Sequence, residues 1–387
     1  YTLSEGKALM SGTEALVRLL LEQSRIDRSN GLRTKGLVSG YPGSPLGGLD
    51  IALSKAQAFL DEEEIHFQPA VNEELAATAL WGSQHINLYD NPEIQGVFSM
   101  WYGKGPGLDR AMDALRHANQ GGVALHGGMV IAVGDDPTGK SSTLAYQSDQ
   151  NFHSLGIPYF FPKNVSDIIP MGLEAFALSR YSGCCVGLKI VVDTADSNAV
   201  VDMSKLRPSL PILKANSLVH VTKHDPASVR ESKLHDLRLP AVQTWCENSK
   251  NVAQVYLPAK KGETRLGIIG VGKIANEVNE ALAGLLPDRD KKNTIAFTAI
   301  NMPWPLPEKK ISAMLSVVDE VLVIEEKRSF VEEQIAKICL KQDCHILLSG
   351  KTNPDGTNLL PSYGELSLEN ILNVIAARAS HHSIAFN

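Results

Sequence analysis

Residues 36–46 read Gly36-Leu37-Val38-Ser39-Gly40-Tyr41-Pro42-Gly43-Ser44-Pro45-Leu46. A short apolar run enters a loop of glycine and proline and leaves it in a helical pattern that extends to about Leu60. Such strand–loop–helix steps build parallel sheets, because parallel neighbours need a crossover between them. Upstream, Ala15, Leu16, Leu19 and Leu20 share one face of a predicted helix over 13–28, stopped at Asn30-Gly31. Downstream, predicted strands at 96–101, 129–133 and 185–192 alternate with predicted helices at 72–86, 108–118 and 165–182. The alternation resumes late in the chain, with strands over 266–270, 294–300, 321–324 and 346–348. The helices between and after them fall at 274–286, 309–317, 330–340 and 368–379. The intervening segment carries Pro208, Pro211, Pro226, Pro240 and Pro258 and one predicted helix near 227–239. The expectation is an α/β protein of two doubly wound parallel-sheet domains, residues 1–200 and 264–387. A proline-rich linker or excursion over 201–263 joins them.

Composition narrows the function. Of 387 residues 43% are hydrophobic and 21% charged, the balance of a globular chain with ample core material. Acids number 43 and bases 37, a net charge of −6, which offers no basic surface for nucleic acid or anionic lipid. The longest weakly polar run, Gly121–Gly134, falls short of the roughly 20 apolar residues that span a bilayer. Five cysteines argue against a disulfide scaffold and for a reducing, cytoplasmic location.

Two motifs look sharper than their chemistry allows. Gly134-Asp135-Asp136-Pro137-Thr138-Gly139-Lys140-Ser141 fits the phosphate-loop pattern after a strand, so ATP binding is one alternative function. Two aspartates inside that loop would repel the phosphates it should attract. Gly270-Val271-Gly272-Lys273-Ile274-Ala275 resembles a dinucleotide fingerprint. The following strand ends in Asn301, where the fingerprint needs an acid for the ribose. His220 and His224, four apart with His235 beyond, lack a helical pattern that would make them a metal pair. Cys184-Cys185, Cys339 and Cys344 show no zinc or iron–sulfur spacing.

Three loops at predicted strand ends are better candidates, since doubly wound sheets bind ligands there. They are Gly40–Pro45, the helix entry Val71-Asn72-Glu73-Glu74-Leu75-Ala76-Ala77-Thr78-Ala79, and Met100-Trp101-Tyr102-Gly103-Lys104-Gly105-Pro106-Gly107. Adjacent helix positions point about 100° apart, so only one of Glu73 and Glu74 can face a site. Glu73 shares its face with Ala76, Ala77 and Leu80, and Glu74 with Ala77, Thr78 and Trp81. The smaller, more apolar stripe favours Glu73. Both acids also suit the positive end of a helix behind an Asn72 cap, which needs no further function.

These loops, together with Asp135-Asp136-Pro137, Ser141-Ser142 and Ser179-Arg180-Tyr181-Ser182-Gly183-Cys184, resemble the thiamine-diphosphate-dependent 2-oxoacid:ferredoxin oxidoreductases. The branch most resembled is indolepyruvate ferredoxin oxidoreductase in its long single-chain form, of which this would be the N-terminal part. The resemblance implies a pyrimidine-binding domain of the thiamine type followed by a transketolase C-terminal type domain. It implies oxidative decarboxylation of indolepyruvate or a related arylpyruvate to the acyl-CoA, with ferredoxin taking the electrons. Glu73 would be the catalytic carboxyl that hydrogen-bonds the aminopyrimidine ring. Ser44 would meet the 2-oxoacid carboxylate, and it equally suits a turn before Pro45. Lys104, where shorter relatives carry a lysine–histidine pair, could attract the same carboxylate. Tyr41, Pro42, Gly43, Trp101, Tyr102 and Gly105 would contact the cofactor.

The Mg²⁺-diphosphate half of such a site needs a Gly-Asp-Gly motif, which this sequence lacks, as it lacks cluster-binding cysteine runs and a readable coenzyme A site. No metal ligand is therefore expected here. The remainder would come from a missing diphosphate-binding domain or subunit, with the iron–sulfur clusters elsewhere and the complete site formed in a homodimer. A non-catalytic subunit retaining the thiamine fold is the other alternative.

Overall fold

A computed structural model describes residues 1–257, 265–285 and 295–384. They form two compact units, Tyr1–Asn248 and Ser249–Asn387. The strands in chain order are β1 (Lys7–Ser11), β2 (Thr34–Gly40), β3 (Ile65–Phe67), β4 (Gly96–Lys104), β5 (Met129–Asp135), β6 (Tyr159–Phe160), β7 (Val186–Val191) and β8 (Asn198–Asp202) in the first unit. The second unit holds β9 (Ala253–Tyr256), β10 (Leu266–Val271), β11 (Ile295–Ile300), β12 (Glu320–Ile324) and β13 (Leu347–Ser349).

In the first unit β3-β2-β4-β5-β7-β6 make a parallel six-stranded sheet. Its central strands β4, β5 and β7 are buried along nearly their whole length because helices cover both faces. Phe98 of β4 packs edge-on against Phe176 of helix Val165–Ser182, with ring centroids 5.8 Å apart. Trp101, three residues along, points to the opposite face and donates its indole N–H to the Glu73 carbonyl at 3.0 Å. Helix Glu73–Ser83 therefore lies on the face opposite helix Val165–Ser182. The chain leaves β2 to form β3 outside it and returns on the other side as β4. The direction of winding thus reverses between β2 and β4, where doubly wound sheets open a ligand crevice. β1 and β8 form a separate antiparallel ribbon that the sequence pattern did not show.

The second unit's sheet runs β13-β12-β10-β11-β9. Four strands are parallel, and the edge strand β9 pairs antiparallel with β11. Its core gathers Leu266, Ile268, Val278, Phe297, Leu322 and Ile375 among others. Gly270 is a packing glycine: a Cβ there would stand 2.7 Å from the Cα of Ala275. The tight turn into helix Lys273–Leu285 needs no bound dinucleotide to explain it.

Residues 201–263, expected between two domains, are shared by both units. Those up to Asn248 pack with the first. Buried Arg238 is the tie: it donates to the carbonyls of Val219, Asn119, Gln120 and Gly121. These include the last carbonyls of helix Gly105–Gly121, which have no partners within the helix. β9 then belongs to the second sheet, and 258–264 lie outside the described residues, as do Leu286 and Thr294 of the expected elements. The helix expected over 46–60 is two, Leu49–Lys55 and Gln57–Glu62.

Candidate functional site

The carboxyl ends of β2 and β4 carry the loops singled out in the sequence. They are stitched together directly: the Tyr41 N–H donates to the Tyr102 carbonyl at 3.2 Å. The segment leading to Glu73 is tied to the same edge, with the Gln68 and Ala70 N–H groups donating to the carbonyls of Val38 and Gly40. Asn72 then caps helix Glu73–Ser83, its side chain accepting from the Leu75 N–H at 2.8 Å.

Glu73 and Glu74 part company here. Glu73 is only 6% exposed and shares the buried face with Ala76, Ala77 and Leu80, whereas Glu74 faces outward. The Glu73 side chain lies against Gly107, where a Cβ would come within 2.8 Å of its Cγ and Oε1. Arg110 Nε stands 3.8 Å from Glu73 Oε2, an ion-pair distance without hydrogen-bond contact. Among the described residues no N–H or O–H donates to this carboxylate. A nearly buried carboxylate without a donor is poised to accept from a ligand, since such an acceptor otherwise forfeits its solvation.

The other expected site residues divide into lining and support. Tyr41 and Pro42 are exposed at the crevice. Gly43 lies under Lys104: a Cβ there would meet the Lys104 Cδ at 2.9 Å and Cγ at 3.0 Å. Lys104 is thus partly spent covering the β2 loop. Ser44, before a cis proline, donates its hydroxyl to Ser141 at 2.5 Å. Trp101 and Tyr102 are fully buried, so they underlie the crevice rather than line it. Tyr102 packs where a Cβ on Gly40 would be, 2.5 Å from its ring. Gly105 is covered by Tyr146, whose ring a Cβ would approach to 2.0 Å.

Ser141 and Tyr146 belong to the loop after β5, and its structure answers the phosphate-loop question. The Asp136 carboxylate accepts the backbone N–H groups of Lys140 at 3.0 Å, Ser141 at 2.7 Å and Ser142 at 3.0 Å, and the Ser141 hydroxyl at 3.2 Å. The amides that would cradle a phosphate are filled by the chain's own anion, and no helix starts at Lys140. Burial pushes the Asp136 carboxyl up, but these amides outweigh it and hold it below the usual carboxylate range. The loop's far end is anchored at Asp135, which accepts from the Ser148 N–H at 2.9 Å and its hydroxyl at 2.8 Å. Lys189 sits between Asp149 at 2.6 Å and Asp135 at 3.4 Å. Burial pushes Asp135 up, whereas at Asp149 burial is outweighed by Lys189 and Tyr159 and the carboxyl is held down.

Sequence reasoning passed over Gly107, Arg110 and Tyr146 as individual residues. Gly107 stood within the third loop, while nothing in the pattern distinguished Arg110 or Tyr146 from surface residues. Among the described residues no cluster of His, Cys, Asp or Glu could hold a metal ion, and none of the five cysteines forms a disulfide. His220 is buried and His224 exposed. No helix among the described residues is long and apolar enough to cross a membrane.

Residues 258–384 match the Indolepyruvate oxidoreductase domain family. The chain is 25% identical over 365 residues to the indolepyruvate oxidoreductase subunit IorA of Methanothermobacter marburgensis, covering 93% of this chain and 53% of that protein. With IorA of Pyrococcus horikoshii it shares 23% identity over 378 residues, 96% of this chain and 52% of that protein. It therefore spans about half the length of the curated relatives it matches. Among solved structures, a 2-oxoglutarate:ferredoxin oxidoreductase from Magnetococcus marinus, with 2-oxoglutarate, coenzyme A and succinyl-CoA bound, aligns with a TM-score of 0.64. The identity is 17%, and the match covers 96% of this chain and 65% of that one. A split-gene transketolase, an inactive β4 tetramer, aligns at 0.55 with 11% identity, covering 96% and 98%. At such identities the structures speak for the two-domain α/β fold. The sequences show a likeness: this chain resembles IorA subunits of indolepyruvate oxidoreductase along nearly its whole length, and its residues 258–384 match that family's domain model.

Proposed function

We propose that this chain supplies the pyrimidine half of a thiamine-diphosphate site in an oxidoreductase acting on indolepyruvate or a related arylpyruvate. The observation that carries the reading is Glu73: nearly buried, at the reversal point of the sheet, with no hydrogen-bond donor among the described residues. The fit to an aminopyrimidine is chemical. A ring nitrogen that carries a proton is the donor this carboxylate lacks, and Gly107 beside it admits the carboxylate where any side chain would displace it.

When bound, thiamine diphosphate supplies the carbanion chemistry that lets a 2-oxoacid lose carbon dioxide. The chain's own part is to hold and orient. Glu73 accepts the hydrogen bond of the ring nitrogen and shares its proton, in a site shielded from water where such a bond is strong. The Ser44 hydroxyl, a neutral donor, would turn its one proton from Ser141 to the substrate carboxylate, while the Ser141 hydroxyl stays on Asp136. Lys104 adds positive charge at the same edge. The buried Trp101 and Tyr102 hold the two loops in register from below.

The diphosphate and Mg²⁺ would be held by a region outside this chain, where ferredoxin-linked iron–sulfur clusters and a coenzyme A site would also lie. A cytoplasmic homodimer belongs to the same reading. The test is 2-oxoacid-dependent viologen reduction by the full-length protein with indolepyruvate, thiamine diphosphate, Mg²⁺ and coenzyme A. Glu73→Ala is expected to lower the rate by about 100-fold or more, and Glu74→Ala by less than about twofold. A Glu73→Ala enzyme working at the normal rate would sink the reading.

A further inference from the structure

The geometry points to Arg110 as a positioning residue for Glu73, an inference that rests on the reading of Glu73 just given. Arg110 draws one carboxylate oxygen toward itself and so leaves the other turned to the incoming ring donor.

Helix Gly105–Gly121 presents Gly107 and Arg110 three residues apart, hence on one face, and both meet the Glu73 side chain. The division of labour is atomic: Gly107 lies against Oε1, and Arg110 Nε faces Oε2 at 3.8 Å. Neither the Glu73 carboxylate nor the Arg110 guanidinium has another hydrogen-bond or ion-pair partner among the described residues. The Glu73 side chain is 8% exposed and that of Arg110 63%, so a nearly buried acceptor faces a solvent-exposed cation. A carboxylate so far removed from water is steered strongly by a lone nearby charge, because the field there is less screened. Arginine keeps its charge throughout the working range, so the pull on Oε2 is constant. At 3.8 Å no N–H···O bond has to break before Oε1 accepts a new donor. Gly107 completes the device, since any side chain there would push the carboxylate off this line.

Calorimetric titration of the full-length protein with thiamine diphosphate and Mg²⁺ tests the inference, with the viologen rate measured in parallel. Arg110→Met is expected to weaken cofactor binding about fivefold, and Arg110→Lys to restore it to within about twofold. In a Glu73→Gln background, which removes the charge Arg110 acts on, Arg110→Met should change binding by less than about 1.5-fold. Thermal midpoints should stay within about 1 °C of the parent protein, since Arg110 is exposed. Unchanged binding in Arg110→Met, or an equal loss in the Glu73→Gln background, overturns the positioning role while leaving Glu73 itself untouched. Normal binding and turnover in Glu73→Ala would instead overturn the function proposed for Glu73, and this role with it.

Discussion

Glu73 and Gly107 touch through an absence: a Cβ on Gly107 would stand 2.8 Å from both Cγ and Oε1 of Glu73. The atoms in the way belong to a side chain that can swing, not to backbone. Gly107→Ala should therefore keep the fold, with a thermal midpoint within about 2 °C, helped by alanine's better helix propensity. The displaced carboxylate should lower the 2-oxoacid-dependent rate by about tenfold or more, since misplacement of a positioned group is costly. A loss of stability with the rate unchanged would contradict this view.

Asp136 anchors the loop after β5 by filling the amides of Lys140, Ser141 and Ser142. Asp136→Ala leaves those donors without an acceptor, at a cost of about 1–3 kcal/mol. Hydrogen exchange should accelerate over residues 138–146 and leave the central strands unaffected. In the unaltered protein ATP should give no thermal stabilisation, because the phosphate position is already occupied by a carboxylate.

Arg238 is 0% exposed and closes four carbonyls, three of them at the end of helix Gly105–Gly121. Arg238→Met should destabilise the first unit by on the order of 3 kcal/mol, seen as a lower urea midpoint. Arg238→Lys should recover less than half of the loss, because one ammonium cannot span carbonyls arranged for a planar fork.

In the second unit Glu320 is fully buried and takes two bonds from Arg378, at 2.7 Å each, one from Ser349 at 2.6 Å, and a contact with His382 at 2.8 Å. Burial pushes its carboxyl up, but Arg378, Ser349 and His382 outweigh that and hold it below its ordinary value of 4.5. A carboxyl depressed in the folded state stabilises above its unfolded value, and that stability is lost as pH falls through the folded one. The second unit's thermal midpoint should therefore decline from about pH 4.5 downward. Glu320→Gln should flatten that decline and cost about 3 kcal/mol at neutral pH by stranding Arg378.

Much of the architecture was legible because it is periodic. The helix expected over 165–182 is observed as Val165–Ser182, and the strand expected over 266–270 as Leu266–Val271. Short edge elements were mostly not legible, β13 being the exception. β3, β6 and β9 have four residues or fewer, too few to show a period, and β1 and β8 are recognisable only by pairing with each other across the whole first unit. The proline-rich segment misled for a related reason. Its membership depends on what Arg238 reaches, which no local pattern records.

At the site the same boundary holds. The sequence by itself determined that Glu73 rather than Glu74 would face inward, because helical geometry allows one of two neighbours on the apolar stripe. It pointed equally to the loops at the ends of β2 and β4 as the candidate crevice. Only the tertiary structure decided that Trp101 and Tyr102 lie beneath that crevice, that Asp136 occupies the phosphate-like amides, and that Gly107 and Arg110 flank the Glu73 carboxylate. The reason is distance along the chain: Glu73 and Arg110 meet across 36 intervening residues, and helical or strand periodicity says nothing about contacts made by a crossover.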